Sequence, residues 1–244
     1  MEVIIKKDCK QLSEAVANEV IALVKLKPEA ILCFPSGDTP LGLFKLLVEY
    51  QSNQTIDLLT CTYIGLDEWT GMDDTDEGSC KYIIYRELFN PLGLRREQIH
   101  FFNAKARDLK AECKRIDSVI ESVGGIDLMI LGVGMNGHLG LNEPRVDETL
   151  YSHEVSLDLV TQEVGQRYFR KPTSLRSGIT LGMQHIMQSR RIIAMVTGKH
   201  KAAITKLVLE GEISNRIPAS LLRNHVNAVL YLDQDATEFL NTEQ

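Results

Sequence analysis

The 244-residue chain reads as an α/β fold: a single Rossmann-like doubly wound domain with a mostly parallel central sheet and helices on both faces. Three features predict this. Short β-branched and aliphatic runs alternate with helical patterns from end to end, several runs are apolar at consecutive positions, and no linker, internal repeat or low-complexity segment interrupts them. Consecutive apolar positions suit a strand buried on both faces, as in a parallel sheet under two helical layers. Alternation of strand and helix builds that sheet from β-α-β units.

The elements follow in order. Residues 3–6 read as a strand rather than a secretory leader, and a helical pattern occupies 13–26. The run at 30–34 passes through Pro35-Ser36-Gly37-Asp38-Thr39-Pro40 into a helix at 41–50. The run at 61–65 leads to Leu66-Asp67-Glu68-Trp69, and a helix is expected at 79–89. A helix at 109–122 meets the glycine stop Gly124-Gly125 before the run at 126–131, which opens onto a glycine-rich loop ending at Pro144. The runs at 192–196 and 228–232 flank a helix at 199–209, introduced by Thr197-Gly198-Lys199-His200-Lys201. One domain spanning residues 1–244 is the expectation.

Composition narrows the function classes. Lys and Arg number 27 against 33 Asp and Glu, for a net charge of −6, which argues against broad nucleic-acid or membrane-surface binding. An anionic small molecule needs only a few placed cations. Cys9, Cys33, Cys61, Cys80 and Cys113 are odd in number and contain no C-x-x-C pair, so neither a disulfide framework nor a zinc site is suggested. No apolar run reaches membrane-spanning length. The chain reads as a reduced, cytoplasmic protein.

Ligands of open α/β sheets bind at the carboxyl ends of strands, so the unusual segments there carry the candidates. Ser36, Gly37, Asp38 and Thr39 precede a helix whose N-terminus favours an anion, which makes a phosphate seat; the alternative is a turn that merely caps the helix. Gly132 to Gly137 matches G-x-G-x-x-G, but the segment runs on through Gly140 and Asn142 to Pro144 instead of opening a helix, against a dinucleotide site. Within it, Glu143 follows His138 by five residues, and a carboxylate-held imidazole suits general acid/base work; a loop histidine bonded to backbone is the alternative. No second His or Cys stands at metal-ligand spacing. Asp67 ends an apolar strand, where burial would raise its pKa and make it a base toward a carbon acid, or where it caps a turn. Lys201 lies in the first turn of a helix, a poor place for a cation without an anion nearby.

Taken together, the P-S-G-D-T-P turn, L-D-E-W, the Gly78-Ser79 helix start, N-G-H-L-G-L-N-E-P and T-G-x-x-K resemble the glucosamine-6-phosphate deaminase/isomerase family over nearly the whole chain. The resemblance implies isomerisation and deamination of a 2-amino-2-deoxyhexose 6-phosphate, in a Rossmann-like domain with a mobile lid near Arg167 and with no cofactor or metal. Asp67 is implied as the base moving a proton between C2 and C1, and His138 as the ring-opening group with Glu143 holding it. Ser36 to Thr39, Arg167 and Lys201 are implied as the phosphate seat. Asn136 stands where some members carry Asp, so His138 is expected to be less basic here. The basic stretch of allosteric members is replaced by Glu148-Thr149-Leu150-Tyr151-Ser152-His153-Glu154, so their effector site is expected to be missing.

The same strings, with Arg176-Ser177-Gly178-Ile179-Thr180-Leu181-Gly182, also look like galactosamine-6-phosphate deaminase/isomerases, which differ in substrate only at C4. Glucosamine 6-phosphate is placed ahead on Arg167. The related 6-phosphogluconolactonases typically carry D-E-R, where this chain has Trp69, and a different tail after the histidine. A sugar-phosphate-sensing module is the reading from another class; it would not need Asp67, His138 and Glu143 together. The expected partner is a small-molecule sugar phosphate, with no nucleic acid and no membrane, and a homo-oligomer is compatible with this reading.

Overall fold

The structure is a computed structural model that describes residues 1–241. Its strands are β1 (Glu2–Lys6), β2 (Ile31–Phe34), β3 (Thr62–Gly65), β4 (Asp67–Trp69), β5 (Ile99–His100), β6 (Leu128–Gly132), β7 (His153–Ser156), β8 (Ser177–Thr180), β9 (Ile192–Val196) and β10 (Ala228–Asp233). The helices are α1 (Cys9–Leu26), α2 (Leu41–Ser52), α3 (Cys80–Ile84), α4 (Asn90–Leu92), α5 (Leu109–Ser122), α6 (Leu159–Gln166), α7 (Met183–Gln188) and α8 (Ala202–Glu210).

All six expected runs lie in one seven-stranded sheet of order β1-β10-β9-β6-β2-β3-β5. Every neighbouring pair in it is parallel. Strands β2, β9 and β10 are buried at every position, as strands covered on both faces must be. The seventh strand, β5, is only two residues long and carries no pattern that a sequence window could detect. A second, three-stranded antiparallel sheet of order β4-β8-β7 was not expected. It pairs Asp67 with Thr180 and Trp69 with Gly178, so its register depends on residues more than a hundred positions apart.

Helix starts follow local chemistry. The first helix begins earlier than its apolar pattern, because Asp8 caps it by accepting from the Gln11 N–H at 2.8 Å. Ser79 caps α3, and Asp108 caps α5. The expected helix at 79–89 is α3 continued through a π turn, Tyr85–Phe89, into α4. The expected helix at 199–209 opens as a 3₁₀ turn, Lys199–Lys201, before α8. No described helix is long and apolar enough to cross a membrane.

One buried carboxylate ties the amino ends of the central strands together. Asp127 accepts from the Ile31 N–H at 2.8 Å, from Lys27 Nζ at 2.8 Å and from Arg190 Nη1 at 2.7 Å. Its side chain is buried while both cations are about half exposed, so the strands, rather than the ion pairs, depend on it most. Asp127→Ala leaves the Ile31 N–H unsatisfied, and we expect it to lower unfolding free energy by about 2–3 kcal/mol. Urea midpoints at constant m-value would check this; an unchanged midpoint would remove Asp127 from the framework.

Candidate active site

From β2 the chain steps through β3 to β5, then returns to the other side of β2 as β6 and continues to β9 and β10. The winding direction therefore reverses between β2 and β6, which leaves a crevice at their carboxyl ends. A cleft of about 260 Å³ occupies it. Residues 35–40 after β2, Leu66, Asp67 and Trp69 after β3, 132–135 with His138 after β6, and Thr197, His200 and Lys201 after β9 all line it. Residues of α6, with Arg167 and Tyr168 beyond it, complete the wall.

Asp67 is the first residue of β4 and only 6% exposed. Burial pushes its carboxyl up to about 6, opposed by a hydrogen bond from the Cys80 thiol. Its neighbour Glu68 is fully buried and receives the N–H groups of Trp69, Cys80 and Lys81 at 2.8, 3.0 and 2.8 Å. Glu68 thus seats the start of α3 against β4, which brings Cys80 to Asp67. Gly140 closes the other side with φ +58°, and a Cβ there would meet Thr180 Oγ1 at 2.9 Å and Asp67 Oδ2 at 3.3 Å. Only glycine lets this loop pass so near the carboxylate.

The His138 ring lies against Gly134, where any Cβ would collide with it. Its Nδ1 is 2.8 Å from Asn136 Oδ1 and 3.1 Å from Thr161 Oγ1. Glu143 does not hold the ring directly: its Oε2 is 3.8 Å from Nδ1 and instead accepts from Asn136 Nδ2 at 2.7 Å. Glu143 thus stands beside His138, and the Asn136 amide, hydrogen-bonded to both, bridges them. Burial, reinforced by the Lys201 charge, pushes His138 down to about 4, and Asp158 opposes this weakly. The imidazole is therefore neutral near pH 7. Among the described residues Nε2 makes no protein hydrogen bond.

Lys201 Nζ donates to the Val133 carbonyl at 2.6 Å and has no carboxylate partner among the described residues. Burial and the nearby Arg167 push it down to about 8. Arg167 pairs with Asp38 at 3.1 Å across the cleft mouth, with both side chains more than half exposed. Asp38 can offer an anion only its backbone N–H, since its carboxylate would repel one. Pro40 stands at the N-cap of α2 and no side chain caps that helix; Leu41 N–H donates to the Asp38 carbonyl at 3.2 Å, and the next N–H groups, of Gly42 and Leu43, remain available among the described bonds.

Ser36, Gly37, Asp38, Thr39, Asp67, His138, Arg167 and Lys201 all line one cleft, while Asn136 and Glu143 stand behind His138. Sequence reasoning missed Thr161, Tyr168, Cys80 and His200, which also line it. Thr161 and Tyr168 belong to a segment whose apolar spacing is too short to announce a helix. Cys80 was visible as the residue after a Ser cap, and His200 as the neighbour of Lys201. Among the described residues no group of His, Cys, Asp and Glu is disposed to hold a metal ion.

Residues 6–231 match the family model described as glucosamine-6-phosphate isomerases/6-phosphogluconolactonase. The chain is 33% identical over 244 residues to the glucosamine-6-phosphate deaminase of Thermoanaerobacter pseudethanolicus, covering all of this chain and 96% of that protein. It is 34% identical over 241 residues to the enzyme of the same name from Clostridium tetani, covering 98% of this chain and all of the relative. The structure of a monomeric glucosamine-6-phosphate deaminase superposes with a TM-score of 0.93 at 32% identity, over 97% of this chain and 98% of that one. The 6-phosphogluconolactonase of Thermotoga maritima superposes at 0.75 with 18% identity over 96% and 99%, a likeness of fold alone.

The buried Asp67 makes a thermodynamic prediction independent of any substrate. A carboxyl raised from 3.8 to about 6 in the folded state contributes stability below pH 3.8, and loses it as pH rises through 6. Asp67→Asn removes that loss. Relative to wild type, the variant should gain up to about 3 kcal/mol between pH 4 and pH 8, read from denaturant unfolding at both values. A pH-independent difference would mean that Asp67 is not desolvated.

Proposed function

The chain belongs to the glucosamine-6-phosphate isomerase/6-phosphogluconolactonase family and is an enzyme of its deaminase/isomerase group, and from that premise we propose that it converts glucosamine 6-phosphate and water to fructose 6-phosphate and ammonia. One observation carries the reading: a single cleft holds a buried carboxylate raised to about 6 and a neutral imidazole lowered to about 4. Environments that push two titratable groups apart give each a separate proton-transfer role. Isomerising an amino sugar needs two, one at the ring oxygen and one at carbon. Hydrolysing a lactone needs no base toward carbon, so the deaminase reading uses Asp67 where a lactonase reading leaves it idle. The full-length relatives at 33–34% identity support glucosamine 6-phosphate over its C4 epimer.

In this mechanism the Nε2 lone pair of His138 takes the proton of the C1 hydroxyl and returns one to the ring oxygen, opening the pyranose. Asp67 then removes the C2 proton from the open aldehyde while the C2 ammonium gives one proton to O1, leaving an enol at C1 with a neutral amine on C2. Return of that proton to C1 gives a ketose imine, whose C=N bond water hydrolyses, releasing ammonia. A carboxylate whose pKa is raised is a stronger base toward carbon. Lys201, the open N–H groups of α2 and Arg167 hold the phosphate, a seat that needs no metal. The whole chain acts as one domain in this reading.

Ammonia release should be measured on glucosamine 6-phosphate and galactosamine 6-phosphate side by side. The reading expects the higher kcat/KM for the first, with an acid limb near pH 6 set by Asp67. Preference for the second would transfer the assignment to the C4 epimer, and acid release from 6-phosphogluconolactone without ammonia release would replace it.

The proton-transfer roles separate in variants. Asp67→Asn should lose about 10²–10⁴-fold in turnover and in solvent exchange at C2, while keeping phosphate-ligand binding. His138→Gln should slow the cyclic amino sugar yet leave hydrogen exchange on an open-chain analogue measurable. Lys201→Ala should raise KM about tenfold to a hundredfold with a smaller effect on kcat. Equal loss of both activities in the His138 variant would end the division of labour.

A further inference from the structure

We propose that Thr161 is a positioning residue for His138: beside Asn136 it forms the second of two arms that accept the Nδ1 proton and so keep the lone pair on Nε2. This rests on the reading of His138 as the ring-opening group. The first arm is fixed by its hydrogen bonds. The His138 backbone N–H donates to Asn136 Oδ1 at 3.2 Å, and Asn136 Nδ2 donates to Glu143 Oε2 at 2.7 Å, so the amide has one orientation. Its oxygen therefore faces Nδ1 at 2.8 Å, and Nδ1 must carry the proton.

The second arm repeats this logic with a hydroxyl. Thr161 Oγ1 lies 3.1 Å from Nδ1. Since the Asn136 arm places the proton on Nδ1, the hydroxyl oxygen can only accept from it. The Nδ1 proton is thus shared between two acceptors, the Asn136 amide oxygen and the Thr161 hydroxyl.

Packing keeps both arms in register. Thr161 is 4% exposed and Glu143 7%. The Asp158 N–H, at the head of α6, donates to Glu143 Oε1 at 3.2 Å, so the helix that carries Thr161 is tied to the same carboxylate as Asn136. The charged groups around the ring are Glu143, Lys201 and Asp158. Neither Lys201 nor Asp158 touches Nδ1 among the described bonds, which leaves the tautomer to Asn136 and Thr161. Without the Thr161 hydroxyl, Nδ1–H keeps one acceptor and the ring gains freedom to rotate.

The test uses Thr161→Val, which keeps shape and burial without the hydroxyl, and Thr161→Ser, which restores it. Turnover of glucosamine 6-phosphate would be measured beside deuterium exchange at C1 of 5-deoxyfructose 6-phosphate with ammonium present to form the ketose imine; this analogue lacks the ring oxygen and stays open. For Thr161→Val, kcat on the cyclic substrate should fall about fivefold to tenfold with KM within about twofold, while exchange on the open analogue is kept. Thr161→Ser should recover most of the lost kcat. The inference is overturned if the valine variant matches wild type while His138→Gln is slow, or if valine and serine variants lose both activities together. If His138→Gln itself turns over the cyclic substrate normally, the reading of His138 falls first, and the role of Thr161 falls with it.

Discussion

The carboxyl ends of β2 and β6 are adjacent in the sheet, but their chains leave in opposite directions, and this one topological constraint opens the cleft. No helix can cover both ends at once, so a gap remains where backbone N–H groups, loop side chains and the head of α2 face one volume. The sheet also sets which segments can meet there. Strands β9, β6, β2 and β3 stand side by side, so Lys201, His138, residues 36–39 and Asp67 are gathered from positions spread over most of the chain.

Charge burial around that gap is organised by what each carboxylate can receive. Asp127 and Glu68 are both buried and both saturated by donors, the first at the amino ends of the strands and the second at the head of α3. They hold elements in place. Burial raises both neighbours, Glu68 to about 7 and Asp67 to about 6, but Asp67 receives no backbone N–H among the described bonds and alone of the two lines the cleft. The same burial that would be a defect in a framework residue prepares a base. Stability is given up at this position, and the saturated neighbours keep the fold able to tolerate it.

His138 shows the complementary arrangement. A direct carboxylate contact would favour the imidazolium, whereas a neutral amide and a neutral hydroxyl orient the ring and leave it uncharged. Glu143 stands 3.8 Å from Nδ1 and is tied to the ring through the Asn136 amide, while the Lys201 charge disfavours the imidazolium. The result is an imidazole with a defined tautomer and an open Nε2. That combination suits a group which first accepts a proton and then returns it.

All six strands of the large sheet that show an apolar run were legible in the sequence, as were the motif loops beyond them. Burial on two faces writes itself locally as consecutive apolar residues, and a glycine-rich strand end is a local event. The helix starts at Ser79 and Asp108 are local too, and follow from one side chain meeting an N–H three residues on, whereas the Asp8 start of α1 lies ahead of its apolar pattern and was not legible in it. The rest depended on distant partners. Strand β5 has two residues, and β4 exists only because Ser177 to Thr180 returns to pair with it, so neither has a period to read. The same holds for the site. Sequence named Asp67, His138, Asn136 and Glu143, but the interposed amide, the hydroxyl of Thr161 and the opposite pKa shifts arise from desolvation and contacts between segments far apart in the chain. Those are properties of neighbours in space, which only the tertiary structure supplies.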